Sequence, residues 1–447
     1  MIGHFIDLMI DSFAISLRHF LSKSFTEINK ALKKIFLITK LKTTNIGNEA
    51  LSHEIIKLFS TELKDAIINI NGRPMGLEGY LPTKLARAAD PIKEFEKWTD
   101  IIVNKISKET DLPFENNNPK VQLIQSQQTI KSDKWKAYLR PLKNYLNSFY
   151  IYKKQYAVRA SKLKQANWLV YSGAGEVNDG YRGNFKDAGV LLRQLIEIRV
   201  AQKLNIKTAA INQSVFVNLR LGKKLLAHVY SKMNKIVVRG ESSKKLLLDI
   251  GVPENIIDIA PDSAINTKLQ KQVVKTKNKI GLNFSNHVHL EGESVKKIIE
   301  YLRSLGKDIY YCTNEPSGDR QIIKMLQSTY NIPVLEGFKN YIEYAEQLSS
   351  LEFVISARVH TNMLTLISGT KIIPIEGSDF RLAELLEGFE YPIKITKSNQ
   401  KDWHVNVIAE IDNVIANKYD FENFFSVKFP KQILLSRKNT TWLNNID

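Results

Sequence analysis

Short apolar segments alternate with longer amphipathic segments along most of this chain, and this alternation restricts the folds that it can adopt. KIFLITKL at 34–41 predicts a strand, residues 48–63 predict a helix, and AIINI at 66–70 predicts the next strand. The pattern resumes with NWLVYS at 167–172 and continues through IIDIA at 256–260. Strands that alternate with helices in this way favour parallel sheets with right-handed crossover connections.

A second series of the same kind runs from KIGLNFS at 279–285 to YPIKI at 391–395. Residues 266–278, which separate the two series, are polar and Lys-rich, and this composition is typical of a linker between domains. Residues from about 73 to 166 are different, because they form a long polar and aromatic stretch with helical pieces. They predict a helical insertion within the first domain.

We therefore predict an α/β protein of two doubly wound, Rossmann-like domains in a GT-B-like arrangement. The first domain comprises residues 34–265 with the insertion, and the second comprises residues 279–447 with a C-terminal helix and tail. Ligands of doubly wound sheets bind beyond the carboxyl ends of the strands. Functional residues are therefore expected in the loops that join a strand to the next helix, which we term elbows.

Residues 1–33 form a separate segment whose apolar positions recur at about helical spacing, so they predict an amphipathic helix. Asp7, Asp11 and Arg18 interrupt its apolar sequence, which therefore predicts neither a transmembrane helix nor a signal peptide. Such a helix can rest on a membrane surface, or it can pack on the body of the protein or on a second subunit.

The charge and the cysteine content restrict the partners and the compartment. Lys and Arg number 64 against 46 Asp and Glu, a formal net charge of +18, which favours anionic partners such as acidic polysaccharide, phosphorylated metabolites or an anionic membrane leaflet. The charge is diffuse and no basic–aromatic reading motif is present, so no nucleic-acid partner is expected. Cys312 is the single cysteine, which excludes an internal disulfide and is typical of a reducing, cytoplasmic location.

One elbow places two basic side chains between a buried strand and a buried helix. In Ser356-Ala357-Arg358-Val359-His360, Arg358 and His360 precede or begin the helix, where the helix dipole favours an anion. Burying a cation without a partner is costly, so either the fold supplies a carboxylate or the site binds an anion. A histidine here could donate a proton near neutral pH, although a hydrogen-bonded structural histidine is the usual alternative.

Four further elbows carry weaker signals, and each has a structural alternative. Asn45 and Gly47 suit an anion at a helix start, or simply a tight turn. The small residues around Gly173 permit close approach of a ligand, with Glu176 and Asp179 as acceptor-binding or solvated carboxylates. The last two elbows each contain an arginine, which either clamps an anion or pairs with a nearby acid; these are Arg239 and Arg381.

Taken together, these elbows resemble those of the polysaccharide pyruvyl transferase family. The family's G-N-x-G-D-E-A elbow is similar to Thr44–Ala50, and its glycine triplet is similar to Gly173-Ala174-Gly175. Its R-D/E-x-S segment resembles the one that begins at Arg239, and its S-x-R-x-H elbow resembles Ser356–His360. The resemblance covers about residues 34 to 390. The departures are Asn48 for the usual acid, Ala174 within the glycine triplet, and Arg381 where lysine is common.

The resemblance implies transfer of a pyruvyl group from phosphoenolpyruvate to a saccharide or a lipid-linked oligosaccharide, with ketal formation and release of phosphate. It places the reaction in cell-surface or exopolysaccharide biosynthesis, at the cytoplasmic face of the membrane, and it implies no cofactor beyond the co-substrate and no metal. By match to the family, the catalytic residues are His360 and Arg358. The residues implied in donor binding are Arg239, Arg358, Val359, Arg381, Asn45 and Gly47, and those implied in acceptor binding are Glu49, Gly173, Gly175, Glu176 and His287.

Two other functions fit the same scaffold. A GT-B-type glycosyltransferase would use a nucleotide sugar, and it would bind a nucleoside diphosphate but not phosphoenolpyruvate. A non-catalytic family member would bind acidic glycan or membrane through its basic surface. Asn48 and the interrupted glycine triplet leave this last reading open.

Overall fold

The first domain is built on a parallel sheet. The computed structural model describes residues 33–73, 80–108, 110–123, 159, 161–173, 177–179, 185, 188–271, 273–284, 293–376 and 380–445. The strands of the sheet are β1 (Lys33–Thr39), β2 (Ala66–Gly72), β3 (Trp168–Ser172), β4 (Lys207–Gln213), β5 (Lys235–Val238) and β6 (Ile257–Ile259). Their order is β6-β5-β4-β3-β1-β2, which places β1 between β2 and β3.

Helices cover both faces of this sheet because successive strand residues point to opposite sides. The helices are α1 (Ile46–Glu62), α2 (Tyr80–Arg87), α3 (Pro91–Ile106), α4 (Gly189–Lys203), α5 (Arg220–Tyr230) and α6 (Glu241–Asp249). Phe36 and Ile38 of β1 belong to the apolar cluster that includes residues of α3 to α6. Ile35 and Leu37 belong to the opposite cluster, which includes residues of α1.

The second domain repeats the design with a smaller parallel sheet. Its strands are β7 (Lys279–Asn283), β8 (Asp308–Tyr311), β9 (Phe353–Ser356), β10 (Lys371–Glu376) and β11 (Thr396–Lys397), in the order β8-β7-β9-β10-β11. The helices are α7 (Glu293–Ser304), α8 (Arg320–Tyr330), α9 (Tyr341–Ser349), α10 (Val359–Ile367), α11 (Arg381–Phe389) and α12 (Trp403–Ile415). This confirms the predicted α/β architecture of two Rossmann-like domains.

The two domains share apolar packing along α1. Ile46, Ala50 and Leu51 of α1 belong to the same buried cluster as the core residues of the second domain. The backbone N–H of Ile46 also donates to the carbonyl of Asn314, 3.0 Å away. The carboxyl ends of β1 and β9, which lead into α1 and α10, therefore face one interdomain cleft.

The C-terminal residues return to the first domain. After α12 the chain forms short helical segments at Phe421–Asn423, Phe424–Lys428, Phe429–Ser436, Lys438–Thr441 and Trp442–Asn445. Trp442 packs edge-on against Trp168 of β3 with ring centres 5.0 Å apart, and the buried Asn439 accepts a 3.1 Å hydrogen bond from the backbone of Asn212. The face of the first sheet that carries Trp168 is therefore completed from the far end of the chain.

Most predicted elements are present, but two differ. Helix α5 was not expected, and no side chain caps its first turn. Instead, the carboxylate of Asp179 accepts hydrogen bonds from Asn218 and Leu219 at 3.1 and 2.6 Å. The strand predicted at 391–395 is wrong, since the strand lies at Thr396–Lys397. The hydroxyl of Tyr391 instead accepts from the N–H of Ile372 and donates to its carbonyl, both at 2.8 Å.

The predicted domain boundaries, the linker at 266–278 and the insertion at about 73–166 stay predictions. Within the insertion, α2 and α3 are helical, whereas residues 110–121 form no helix or strand. Asn116 and Asn117 accept hydrogen bonds from the backbone of β2, the edge strand, so NNNP covers a sheet edge. The predicted N-terminal helix lies outside the described residues except for Lys33. No helix in the described part of the chain is both long and apolar enough to cross a bilayer.

Candidate active site

The elbow between β9 and α10 brings His360 to the interdomain cleft. Strand β9 ends at Ser356, whose hydroxyl donates to Asn283 at 3.2 Å and accepts from the backbone N–H of Arg358 at 3.3 Å. These bonds fix the start of α10, so that His360 lies in its first turn and contacts Gly47 of the other domain. A Cβ at Gly47 would lie only 2.1 Å from the Cβ of His360. Glycine is therefore required there by close approach.

His360 is part of a buried chain of ionisable groups from three elbows. Its Nε2 lies 3.3 Å from Oδ2 of Asp262, and the guanidinium of Arg239 forms an ion pair with the same carboxylate. Asp262 follows β6, and its other oxygen accepts from the backbone N–H of Ala264 at 2.9 Å. The side chain of Asp262 is fully buried, and those of Arg239 and His360 are 5% and 12% exposed. Such a group is well shielded from water, which strengthens its electrostatic interactions.

The charge states of this chain follow from its partners. Burial alone would raise the pKa of Asp262, but Arg239, His360 and the Ala264 N–H together hold it below its usual value. Burial lowers the pKa of His360; the bond to Asp262 partly offsets this, and the charges of Arg239 and Arg381 lower it further. At neutral pH, Asp262 is therefore ionised and His360 neutral. Since a carboxylate can only accept, Nε2 carries the hydrogen and Nδ1 is the basic nitrogen.

The fold supplies carboxylates to Arg358. Its guanidinium pairs with Glu315 at 3.1 Å and with the fully buried Asp319. Asp319 also accepts a 2.7 Å hydrogen bond from the hydroxyl of Thr313. Arg358 is thus largely neutralised within its own domain. The sequence left two explanations for a cation in this elbow, and the structure favours the first, a carboxylate partner.

Asn45 connects the first elbow to this ion pair. Its side-chain oxygen caps α1 by accepting from the N–H groups of Gly47 and Asn48 at 3.0 and 3.2 Å. Its side-chain nitrogen donates to Glu315 at 3.1 Å, across the domain boundary. Asn45, Gly47, Arg358 and His360 therefore meet at one place, as their predicted donor-binding and catalytic roles require, and these roles stay predictions.

The remaining donor-binding candidates border the same cleft. Val359 is the first residue of α10, and Arg381 is the first residue of α11. Burial lowers the pKa of both Arg239 and His360, and the charge of Arg381 lowers it further, so Arg381 lies near them. Glu384, one turn further along α11, accepts from the N–H of Ser243 at 2.8 Å and so connects α11 to the first domain.

Glu49 makes a structural contact between the domains, and its predicted contact with the acceptor stays a prediction. Its side chain is buried, and Oε2 accepts from the backbone N–H of Tyr341 at 3.0 Å, at the start of α9. Burial raises the pKa of Glu49 to about 7, and the bond from Tyr341 only partly opposes this. Glu49 therefore joins α1 to the second domain.

This burial predicts a pH-dependent stability that Glu49→Gln removes. The pKa of Glu49 is raised from 4.5 to about 7 on folding. Below pH 4.5 the Glu49 carboxyl is protonated in both the folded and the unfolded chain, so its burial lowers the stability least. As pH rises towards 7 the unfolded chain releases its proton first, so the free energy of unfolding falls, by on the order of 1–2 kcal/mol. Urea unfolding at about pH 5 and about pH 8 should show this fall in the wild type and a smaller fall in Glu49→Gln. Glu387→Gln is the control, because Glu387 is exposed. An equal fall in the free energy of unfolding in all three proteins would contradict the raised pKa of Glu49.

The remaining acceptor candidates are placed differently. Gly173 directly follows β3, and a Cβ there would lie 2.5 Å from the side chain of Gln213, so the neighbour that it accommodates is part of the protein itself. Gly175, Glu176 and His287 lie outside the described residues, and their predicted roles are untested. Asp179 accepts hydrogen bonds from the N–H groups of Asn218 and Leu219, so it holds the loop that leads into α5.

Sequence reasoning missed the acidic partners of the site. Asp262, Glu315 and Asp319 were not singled out, although each contacts a predicted cation. The only available signal for Asp262 is its place in APDSA, directly after β6. Such positions mark an elbow, but they do not reveal which distant cation the carboxylate will meet.

Two Rossmann-like domains with a charged cleft between them define a GT-B protein. Among solved structures, a putative UDP-N-acetylglucosamine 2-epimerase from Listeria monocytogenes has a TM-score of 0.51 at 11% identity, with 93% of this chain and 98% of that one covered. Another UDP-N-acetylglucosamine 2-epimerase has a TM-score of 0.50 at 10% identity, covering 92% of this chain and 95% of that one. These similarities show the fold alone and confirm the predicted GT-B arrangement.

The family model described as "Polysaccharide pyruvyl transferase" matches residues 114–379, more than half of the chain. The chain therefore belongs to the polysaccharide pyruvyl transferase family, which confirms the resemblance seen in its elbows. The matched region contains Arg239, Arg358 and His360, whereas Asn45, Gly47 and Arg381 lie outside it. Comparison with curated protein sequences gave no match.

Proposed function

We propose that this protein transfers a pyruvyl group from phosphoenolpyruvate to two hydroxyls of a saccharide, in the synthesis of a cell-surface polysaccharide or exopolysaccharide. The observation that carries the proposal is the position of His360. In a member of the pyruvyl transferase family, this histidine lies in the interdomain cleft with its Nε2 3.3 Å from a buried carboxylate. Its other nitrogen therefore has the geometry of a proton carrier.

The donor would be held by cations that keep some hydrogen-bonding capacity. Phosphoenolpyruvate carries a carboxylate and a phosphate close together, and guanidinium groups suit both. Among the described residues, the buried Nε atoms of Arg239 and Arg358 have no hydrogen-bond partner, although both side chains are ion-paired. The start of α10 adds a helix dipole, which favours an anion. Arg381 contributes charge at the same place.

The reaction needs one proton at carbon and one leaving group. His360 would protonate the methylene carbon of the donor, which makes the adjacent carbon electrophilic. The first acceptor hydroxyl attacks that carbon and returns a proton to His360. The second hydroxyl then displaces the phosphate, which leaves with that hydroxyl's proton. Both acceptor oxygens end on one carbon as a cyclic ketal, and the histidine is regenerated.

Donor binding itself would charge the histidine. In the free protein the pKa of His360 is lowered, so the imidazole is neutral near pH 7. A multiply charged anion in the cleft would raise this pKa, because nearby negative charge favours the protonated form. Asp262 is then a positioning residue, since it holds Nε2 and leaves Nδ1 to carry the transferable proton.

We therefore expect phosphoenolpyruvate to bind with uptake of about one proton at about pH 7.5. Calorimetric titration in buffers of different ionisation enthalpy measures this uptake directly. His360→Gln should abolish the uptake, while the exposed Arg320→Gln should leave it unchanged. The wild type is also titrated with a panel of nucleoside diphosphates. Binding of a nucleoside diphosphate without binding of phosphoenolpyruvate would overturn the proposal and favour a glycosyltransferase.

A further inference from the structure

The C-terminal helical segments expose an apolar stripe on their outer side. Val427 and Leu434 are 45% and 63% exposed, and Pro430, which lies between them, is also exposed. The backbone from Phe424 to Thr441 is helical and continues through Arg437 with right-handed torsion angles. Spacings of three and four residues therefore place the three apolar residues on one side. Exposed apolar residues that occur singly are ordinary, but three in one stripe indicate a contact surface.

Basic side chains border this stripe. Lys431 follows Val427 by four positions, and Lys438 follows Leu434 by four, so both lysines lie on the same side as the stripe. Both are exposed. We call Val427, Pro430, Lys431, Leu434 and Lys438 the C-terminal surface.

The charge around the C-terminal surface is positive. Residues 423–445 contain four basic residues and no acidic one. Carboxylates from elsewhere in the chain meet two of the four at the border, since Lys428 pairs with Glu390 at 3.1 Å and Arg437 lies 3.7 Å from Glu62. Ion pairs at a protein surface are weak. The surface therefore combines an apolar stripe with an excess of positive charge.

We propose that the C-terminal surface binds an anionic lipid membrane, with the helix lying in the plane of the headgroups. An apolar stripe bordered by lysines is typical of helices that rest in a membrane interface. Val427 and Leu434 would enter the boundary of the acyl chains, while Lys431 and Lys438 reach the lipid phosphates. A second copy of the chain fits less well, because a two-fold contact would bring the same lysines together. An acidic polysaccharide would match the lysines but leave the apolar stripe in water.

The buried side of the same helical segments holds the loop of the candidate site. The hydroxyl of the buried Ser436 accepts from the side chain of Asn266 at 2.9 Å, and Asn439 donates to the carbonyl of Pro261 at 2.9 Å. Between these two contacts lies Asp262, the carboxylate that holds the candidate proton carrier. A helix is about 10 Å across. Membrane binding would therefore bring the lipid surface close to this loop.

Flotation of the full chain with lipid vesicles tests the proposal. The protein should bind vesicles of phosphatidylglycerol and phosphatidylcholine in equal parts at least about tenfold more tightly than pure phosphatidylcholine, because each basic residue near an anionic surface contributes about fivefold. Val427→Asn with Leu434→Asn should weaken binding by about tenfold or more, because the stripe no longer inserts. The matched control is Val273→Asn with Val274→Asn, which alters two exposed aliphatic residues outside the surface and should bind as the wild type does.

A second pair of variants tests the charge. Lys431→Gln with Lys438→Gln should weaken binding to the anionic vesicles by about tenfold or more. Lys105→Gln with Lys108→Gln is the matched control, because both lysines are exposed and lie at or just after the end of α3. The changed side chains are all exposed, so circular dichroism should show folded proteins.

Three results would overturn the proposal. The first is equal vesicle binding by the wild type and both C-terminal variants. The second is a loss in the lysine variant alone, which would show a contact through charge only, as with an acidic polysaccharide. The third is a dimer in solution that the apolar variant dissociates, which would assign the surface to a second copy. Phosphoenolpyruvate should bind equally to all these proteins, and its failure to bind any of them would refute the proposed function and leave the membrane surface standing.

Discussion

Gly47→Ala should lower the turnover number by about a hundredfold or more, because a misplacement of about 1 Å at a reacting group has effects of that size. The new Cβ would lie 2.1 Å from Cβ and 2.4 Å from Nδ1 of His360. Since Gly47 and His360 begin helices of different domains, either the imidazole moves or the cleft opens. Both changes displace the proton carrier from the donor. Overpacking costs about 1–3 kcal/mol, which a domain of this size can tolerate.

Phosphate release from phosphoenolpyruvate in the presence of acceptor measures this effect, and circular dichroism confirms folding. Gly388→Ala is the matched control, because Gly388 is also helical and nothing lies within 4 Å of the Cβ that it would gain. That variant should keep full activity. A fully active Gly47→Ala protein would show that His360 does not need its observed position, and the catalytic assignment would fail.

Arg358→Ala should destabilise the protein by about 3–5 kcal/mol, because it leaves a buried carboxylate without its cation. Asp319 is fully buried and pairs with Arg358. Burial raises the pKa of Asp319, and Arg358 acts against this, so the unpaired acid would take up a proton more readily. Loss of activity in Arg358→Ala alone would therefore not identify a donor-binding residue.

Denaturant unfolding measures this loss, and a second substitution separates structure from function. Arg358→Ala with Asp319→Asn should recover a large part of the stability, because the unpaired charge is removed. Exposed Arg320→Ala should change the stability by less than about 0.5 kcal/mol. If the double variant is stable and binds phosphoenolpyruvate normally, Arg358 serves the fold rather than the donor. If it is stable and no longer binds, the predicted donor role stands.

The sequence was sufficient for the fold because each element carries its own periodic signal. Strand β3 at Trp168–Ser172 lies within the predicted segment 167–172, and β2 begins at the predicted Ala66. Helix α5 was missed because no side chain caps it, and Asp179, whose carboxylate holds the loop before it, lies about 40 positions earlier. The strand at 391–395 was wrong because the Tyr391 hydroxyl competes for the backbone groups of Ile372.

The candidate site was also predicted only in part. The cations and glycines of the elbows could be named because they follow strands, and strand ends are visible in sequence. The acidic partners of these cations could not be named, because they are distant in sequence. Asp319 and Glu315 precede Arg358 by 39 and 43 positions, and Asp262 precedes His360 by 98. The fold of the second domain brings Asp319 and Glu315 to Arg358, whereas docking of the two domains brings Asp262 to His360. For the same reason, the contact between Glu49 and Tyr341 could not be predicted from sequence.

The return of residues 438–445 to the first sheet affects how the protein is made. Trp442 and Leu443 belong to the same buried cluster as Trp168 and Ile35, so this layer stays incomplete while the second domain is being synthesised. Domains usually fold in order as they leave the ribosome, the N-terminal one first. Here the N-terminal sheet cannot reach its final packing until these late residues emerge. Nascent chains would then expose that apolar face longest, which makes it the surface that chaperones would have to protect.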